Sequence, residues 1–305
     1  MKANKKSAFR ELRNDKVLYV MLLPGLLYFL LFKYAPLYGI VIAFKDYDIF
    51  QGIWPSEWVG WKNFRDVFHY ADFWIILRNT LLISLYKIIF GFPAPIAVAL
   101  LLNELGNRFF KRVIQTVLYL PHFISWVVIS GFILAIMSPH NGVVAFVYEW
   151  FGQEPRNLLI DPHLFRSILV ASDIWKDLGW GTIIYLAALT QVDPSLYEAA
   201  IVDGAGKWKQ TWHVTLPSIR NVIVLLLILR IGFLMNAGFE QILVMENPAV
   251  LNVTEILDTF VFKYGLQQGN YSFATAIGVF NSVIALVLVL AAQWVSKLFG
   301  EEGLS

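Results

Sequence analysis

Polar residues are sparse along this chain and fall between long apolar runs. Six runs stand out, at 17–44, 75–102, 113–137, 164–190, 219–245 and 273–299. Each is longer than the roughly 20 mostly apolar residues a helix needs to cross a bilayer core. The third holds no Asp, Glu, Lys or Arg, and the last holds only Lys297. The other four carry charge inside the apolar run. The pattern predicts an all-α membrane protein with six transmembrane helices. Pro24 and Pro36 are expected to bend the first helix, and Pro93 and Pro95 to disturb the second.

Composition agrees: 58% of residues are hydrophobic and 15% charged, against about 45–50% and about 25% in soluble domains. The net charge of +2 gives no support to nucleic-acid binding. The absence of cysteine excludes disulfide scaffolds, thiolate metal sites and cysteine nucleophiles. Lys2, Lys5, Lys6, Arg10, Arg13 and Lys16 precede the first run as they would in a signal peptide. That run is too long for a secretory apolar core and lacks a small-residue cleavage site, so an uncleaved helix is expected. With the N-terminus in the cytoplasm, inside segments hold thirteen Lys and Arg and outside segments six. This asymmetry predicts both termini inside and the segments 45–74 and 139–163 outside. The expected divisions are a basic tail at 1–16, a membrane domain at 17–300 containing a cytoplasmic loop at 193–217, and a tail at 301–305.

That loop reads as a helix, a glycine reversal, a second short helix and a proline stop. Asp193 can cap, Pro194 suits the first helical position, and Ser195 with Glu198 has capping-box spacing. Gly204 and Gly206 permit the reversal, and Leu196, Ala199, Ala200 and Trp208 supply an apolar side.

The pattern Glu198-Ala199-Ala200, three residues, Gly204, nine residues, Val214, one residue, Leu216-Pro217 resembles the coupling motif of binding-protein-dependent ABC importer permeases. Val214 stands where Ile is commoner. Gly60-Trp61-Lys62-Asn63-Phe64 resembles an outer stretch of the maltose-type sugar permeases. Arg78-Asn79-Thr80, Phe92-Pro93-Ala94-Pro95 and Leu101-Leu102-Asn103-Glu104 resemble the polysaccharide-type, LplB-like subgroup. The likeness runs over about residues 17–300. It implies a type I importer permease fold and alternating-access transport of oligosaccharides or polysaccharide fragments in the cytoplasmic membrane of a bacterium or archaeon. The implied partners are a second permease subunit, expected to be a different chain, two cytoplasmic ATPases that hold ATP and Mg, and an extracytoplasmic solute-binding protein. It implies ATPase coupling through Glu198, Ala199, Ala200, Asp203, Gly204, Leu216 and Pro217.

Asp173, Lys176 and Asp177 share one helical face at i, i+3 and i+4, and Trp180 continues it. Charges at membrane depth either pair internally or line a cavity. Asp173 with Lys176 is therefore a candidate helix-holding pair, or the group forms the wall of a sugar path with Trp180 as an apolar platform. Arg230 and Asn236 join that path by their place after the loop, although Arg230 can also pair with Asp173 or Asp177. Lys87 lies deep in a segment without an acid and needs a partner elsewhere.

Other chemistry is missing from the sequence. Gly204–Trp208 lacks the first glycine and the final Ser/Thr of a phosphate loop, so this chain is expected to bind no ATP. The five histidines, His69, His122, His140, His163 and His213, form no zinc motif, and no serine elbow occurs. No metal or cofactor is expected on this chain. The rival readings are the same architecture carrying a peptide or amino acid, a membrane enzyme such as an aspartyl protease using Asp173 and Asp177, and a passive channel.

Overall fold

The computed structural model describes residues 16–298, so the tails 1–15 and 299–305 lie outside the described residues. Among the described residues, twelve α-helices of seven residues or more carry the fold. They are α1 (Lys16–Phe29), α2 (Lys62–His69), α3 (Phe73–Gly91), α4 (Pro93–Glu104), α5 (Arg108–Tyr119), α6 (Trp126–Ile136), α7 (Val143–Trp150), α8 (Pro162–Leu189), α9 (Pro194–Val202), α10 (Arg220–Gly232), α11 (Phe239–Met245) and α12 (Tyr271–Leu298). One departure from an all-α chain is a two-residue ladder, Lys45–Asp46 (β1) against Glu57–Trp58 (β2).

Three helical stretches are long and apolar enough to cross a membrane: Lys16–Phe44, Phe73–Glu104 and Tyr271–Val295. Two bent pairs raise the number to five, Arg108–Phe123 with Trp126–Ile136 at 105° and Lys207–Ser218 with Arg220–Gly232 at 64°. The α8 helix has 28 residues, but Arg166, Asp173, Lys176 and Asp177 dilute its apolarity. The prolines at 24 and 36 are absorbed without a break, because α1 continues through a π segment at Leu30–Tyr34 into a 3-10 segment at Ala35–Phe44.

The run at 113–137 is not one helix, which corrects the sequence expectation. Pro121 offers no N–H, a short 3-10 turn covers Leu120–Phe123, and Ser125 restarts the helix by accepting from the Val128 amide at 3.4 Å. The run at 219–245 is also divided. Helix α10 ends at Gly232, and Gly238, at φ +99°, begins α11. A side chain at 238 would occupy the space of the Lys87 ammonium, so both the backbone angle and the close approach require glycine there.

Helix α8 lies at the centre, with α4 packed along one side and α3 along another. Gly179 lets α8 meet the end of α5, since a Cβ there would collide with the Leu118 carbonyl. One cluster, including Phe73, Ile76, Met235, Leu257 and Ile277, joins α3 to α12. A second, including Ile83, Phe165, Leu169 and Ile242, joins α3, α8 and α11. A third, including Ala99, Leu102, Tyr185, Leu189 and Ile219, ties α4 to the C-terminal end of α8. By contrast, every side chain of α1 is exposed, so its apolar surface is satisfied by lipid or by another subunit rather than by this chain.

The motif stretches have local physical reasons. Gly60 sits at φ +60°, and Asn63 donates to the carbonyls of Ala43 and Lys45, each at 2.9 Å. These bonds fasten α2 to the end of the first span. Asn79 donates to the carbonyls of Asn252 and Glu255, while the Thr80 hydroxyl accepts from the Leu257 amide at 3.0 Å. Together they pin the 251–260 segment onto α3.

Candidate functional site

The 193–217 loop forms as a helix-reversal-helix. Pro194 occupies the first turn of α9, and the Asp193 carboxylate accepts from the Ser195 amide at 2.9 Å. That backbone bond, helped by the Ser195 side chain, holds the Asp193 carboxyl below the usual carboxylate range. The cap is Asp193 alone. The Ser195–Glu198 capping box does not form, because the Glu198 side chain is exposed and makes no hydrogen bond or ion pair among the described residues.

Asp203 ends α9, its amide donating to Ala199 O at 3.1 Å. Gly204 follows at φ +73°, and the Ala205 amide closes the turn on Ala200 O at 2.9 Å. The space around Gly204 is open, so its requirement is the left-handed backbone and not crowding. Gln210 then donates to Ala205 O at 2.7 Å, and Tyr197 meets the Thr215 hydroxyl at 3.0 Å. These bonds make one rigid knob of α9, the Lys207–Gln210 turn and the π segment Thr211–Thr215. Lys207 reaches Glu104 at the end of α4 at 3.0 Å. Leu216 and Pro217 form the short turn that feeds α10. The knob leaves Ile201, Val202, Trp208 and Trp212 largely exposed, with the two tryptophan rings set edge to face at 5.8 Å.

A cavity of about 250 Å³ lies between α4, α8, α10 and the 120–124 break. His122, Asp173, Asp177 and Arg230 supply its polar wall, and Phe92, Trp180 and Tyr185 its aromatic wall. The His122 and Trp180 rings stack at 4.6 Å and 3°. His122 Nδ1 stands 3.0 Å from the Asp177 carboxylate. Behind this wall, Lys87 Nζ reaches Asp173 at 2.7 Å and Gln241 at 2.5 Å. Gln241 in turn donates to Leu169 O and Ser172 Oγ. Arg230 lies 3.6 Å from the other Asp173 oxygen.

The structure therefore brings Asp173, Asp177, Trp180 and Arg230 together, and it supplies Lys87 with the acid its depth demanded. Lys176 does not join them. It is buried and donates to the carbonyls of His122 at 2.8 Å, Ile124 at 2.7 Å and, at 3.4 Å, Pro121. Its charge also lies 5.6 Å from the Trp126 ring centre. Asp173 and Lys176 are not a pair, because the break at 120–124 offers Lys176 the carbonyls of His122 and Ile124, while Lys87 and Arg230 claim the aspartate. Asn236 is likewise outside this cavity and lines a smaller one of about 30 Å³ with Ser84, Lys87 and Arg230.

His122, Tyr185, Phe92 and Gln241 were missed from the sequence. The only signal for His122 was a lone polar ring beside Pro121 in a run without charge. Gln241 gave none, since its role depends on which helix faces it.

A helical membrane protein with a polar cavity between its helices is built to move a solute. Residues 91–301 match the family of binding-protein-dependent transport system inner membrane components, and the chain belongs to that family. It is a transport component and not an enzyme. It is 47% identical over 293 residues to Protein LplB of Bacillus subtilis, spanning 96% of this chain and 92% of that one. It is 46% identical to the polygalacturonan/rhamnogalacturonan transport system permease protein YteP of the same organism, over 99% of this chain and 94% of the relative. The fold matches a chain of a bacterial ABC transporter involved in import of the acidic polysaccharide alginate, with a TM-score of 0.89 and 38% identity, covering 95% of this chain and 98% of the other. A second structure of such a transporter, in complex with alginate pentasaccharide-bound periplasmic protein, matches at 0.88.

Proposed function

We propose that this chain is a translocating subunit of an ATP-driven importer for oligosaccharides or polysaccharide fragments. It crosses the membrane six times, counting α8 and the two bent pairs, with both termini in the cytoplasm. Its partners are a second permease chain, two cytoplasmic ATPases and an extracytoplasmic solute-binding protein. ATP and Mg reside on the ATPases, and this chain carries no cofactor. The relatives named for polygalacturonan and alginate transport support a carbohydrate cargo.

The observation that carries the reading is the cavity wall of Trp180 and Tyr185 beside His122, Asp177 and Arg230. A sugar ring offers an apolar face edged by hydroxyls, and this wall offers a flat ring edged by donors and acceptors. ATP-driven closure of the ATPases moves the rigid knob of 193–217, and α8 and α10, which flank it, tilt to open the cavity outward. Nucleotide hydrolysis then resets the inward-facing state.

Glu198→Lys is expected to leave the four-subunit assembly intact and to lower cargo-stimulated ATPase by about tenfold, as loss of a charge-assisted contact does. Trp180→Ala is expected to lower uptake with assembly unchanged. Wild-type transport and ATPase in both variants sinks the proposal.

Topology has its own test. A cysteine replacing Gln51, which follows the β1 strand, should react with a membrane-impermeant thiol reagent on intact cells. Labelling only after the cells are opened reverses the orientation.

A further inference from the structure

The cavity at Trp180 does not stand alone. A second, of about 940 Å³, runs along the same face of α8 from Pro162 and His163, and Ile174 lines both. Its aromatic wall is Tyr86 and Phe90, and its charged member is Arg166, with no carboxylate in its lining. Arg166 spends Nε on Val253 O at 3.0 Å and Nη2 on Asn79 Oδ1 at 2.7 Å. Neither partner carries a charge, so the guanidinium is held in place but not neutralised.

The balance in the inner cavity leans the same way. Asp173 gives one oxygen to Lys87 at 2.7 Å and keeps only a 3.6 Å approach for Arg230, whose side chain is 42% exposed. Lys176 is held by carbonyls and the face of the Trp126 ring, none of which is charged. Lys87, Arg166, Lys176 and Arg230 thus face two carboxylates, Asp173 and Asp177. Glu240, the nearest further acid along α11, is exposed and lines neither cavity. Fixed, incompletely neutralised cations held inside a protein are costly unless an anion joins them. Seven residues of α8 separate Arg166 from Asp173, and so from Arg230 beside it, which is about 10 Å along the helix.

We propose that the cargo is a carboxylated oligosaccharide, and that Arg166 and Arg230 are the specificity-determining residues that pair with uronate carboxylates while Tyr86, Phe90 and Trp180 carry the ring faces. A planar fork of N–H donors suits a carboxylate in a way an ammonium does not. This rests on the sugar-path reading above.

The chain has no cysteine, so Ile174→Cys places a single thiol at the junction of the two cavities. The intact importer carrying this substitution, purified with its partner subunits, is labelled with a thiol reagent and this chain is followed on a gel. Trigalacturonate is expected to slow labelling by about tenfold, the size of one strong charge-assisted pair. The carboxyl-reduced trisaccharide should not. Arg230→Gln and Arg166→Gln should each erase protection, and Arg230→Lys and Arg166→Lys should restore part of it, which excludes a loss of folding as the cause. Equal protection by the reduced sugar, or protection that survives both glutamine variants, overturns the charge recognition and leaves the sugar path standing. Protection by neither saccharide removes the path reading itself.

Discussion

Replacing Lys87 with methionine is expected to destabilise the chain more than any other single substitution in its membrane core. The ammonium is the shared partner of Asp173 and Gln241, and its side chain is 5% exposed. Methionine matches the aliphatic stem, so the loss is electrostatic. It leaves the Asp173 carboxylate, 12% exposed, with only the 3.6 Å approach of Arg230. Breaking a buried pair from one side costs about 3–5 kcal/mol, because the surviving charge is left without compensation. Asp173→Asn in the same chain should recover part of that loss, since it removes the stranded charge. The two substitutions are therefore expected to be non-additive by more than the roughly 0.5 kcal/mol seen between independent sites. The measurement is the thermal unfolding of the purified importer in detergent for the two single variants and the double. An unchanged midpoint in Lys87→Met, or strict additivity, would show that the pair is not what holds α3 to α8.

The same pair marks the limit of what the sequence could tell. Lys87 was visible as a charge in need of an acid, because depth alone makes an unpaired ammonium expensive. Asp173 was visible as one of three charges on a helix face. Which lysine it served was not visible, since i, i+3 spacing argued for Lys176 while the answer depended on α3 crossing α8 at that level. The knob at 193–217 was more legible because its determinants are local. Asp193, Pro194 and Gly204 each dictate backbone geometry within a few residues. Even there, the Ser195–Glu198 spacing suggested a second cap that does not form, since Asp193 already takes the Ser195 amide. The apolar runs covered the three helical stretches long and apolar enough to cross a membrane, but gave no sign of the breaks at 120–125 and 233–238. Hydropathy does not change where a chain turns inside a protein environment that satisfies its freed backbone groups.

Those freed groups make the second large effect specific. Lys176→Met is expected to destabilise the break between α5 and α6 and to leave the rest of the bundle assembled. Its ammonium takes the carbonyls of His122 and Ile124 at 2.8 and 2.7 Å, and lies 3.4 Å from Pro121 O. Each buried acceptor left unpaired costs about 1–3 kcal/mol, and no lipid can replace the donor. Arginine is not an equivalent rescue, because its planar fork does not reproduce three converging bonds from a point ammonium. The break also carries His122, whose ring stacks on Trp180 and meets Asp177. If Lys176 positions that ring, Lys176→Met should speed hydrogen exchange at 120–125 and lower uptake, whereas Lys87→Met should leave exchange at 120–125 nearer to wild type. The check is hydrogen exchange on the intact complex beside an uptake assay. Exchange at 120–125 unchanged in Lys176→Met, or raised equally in both variants, rules out a local clamp. A clamp confirmed with normal uptake confines Lys176 to folding and separates it from the cavity wall it stands behind.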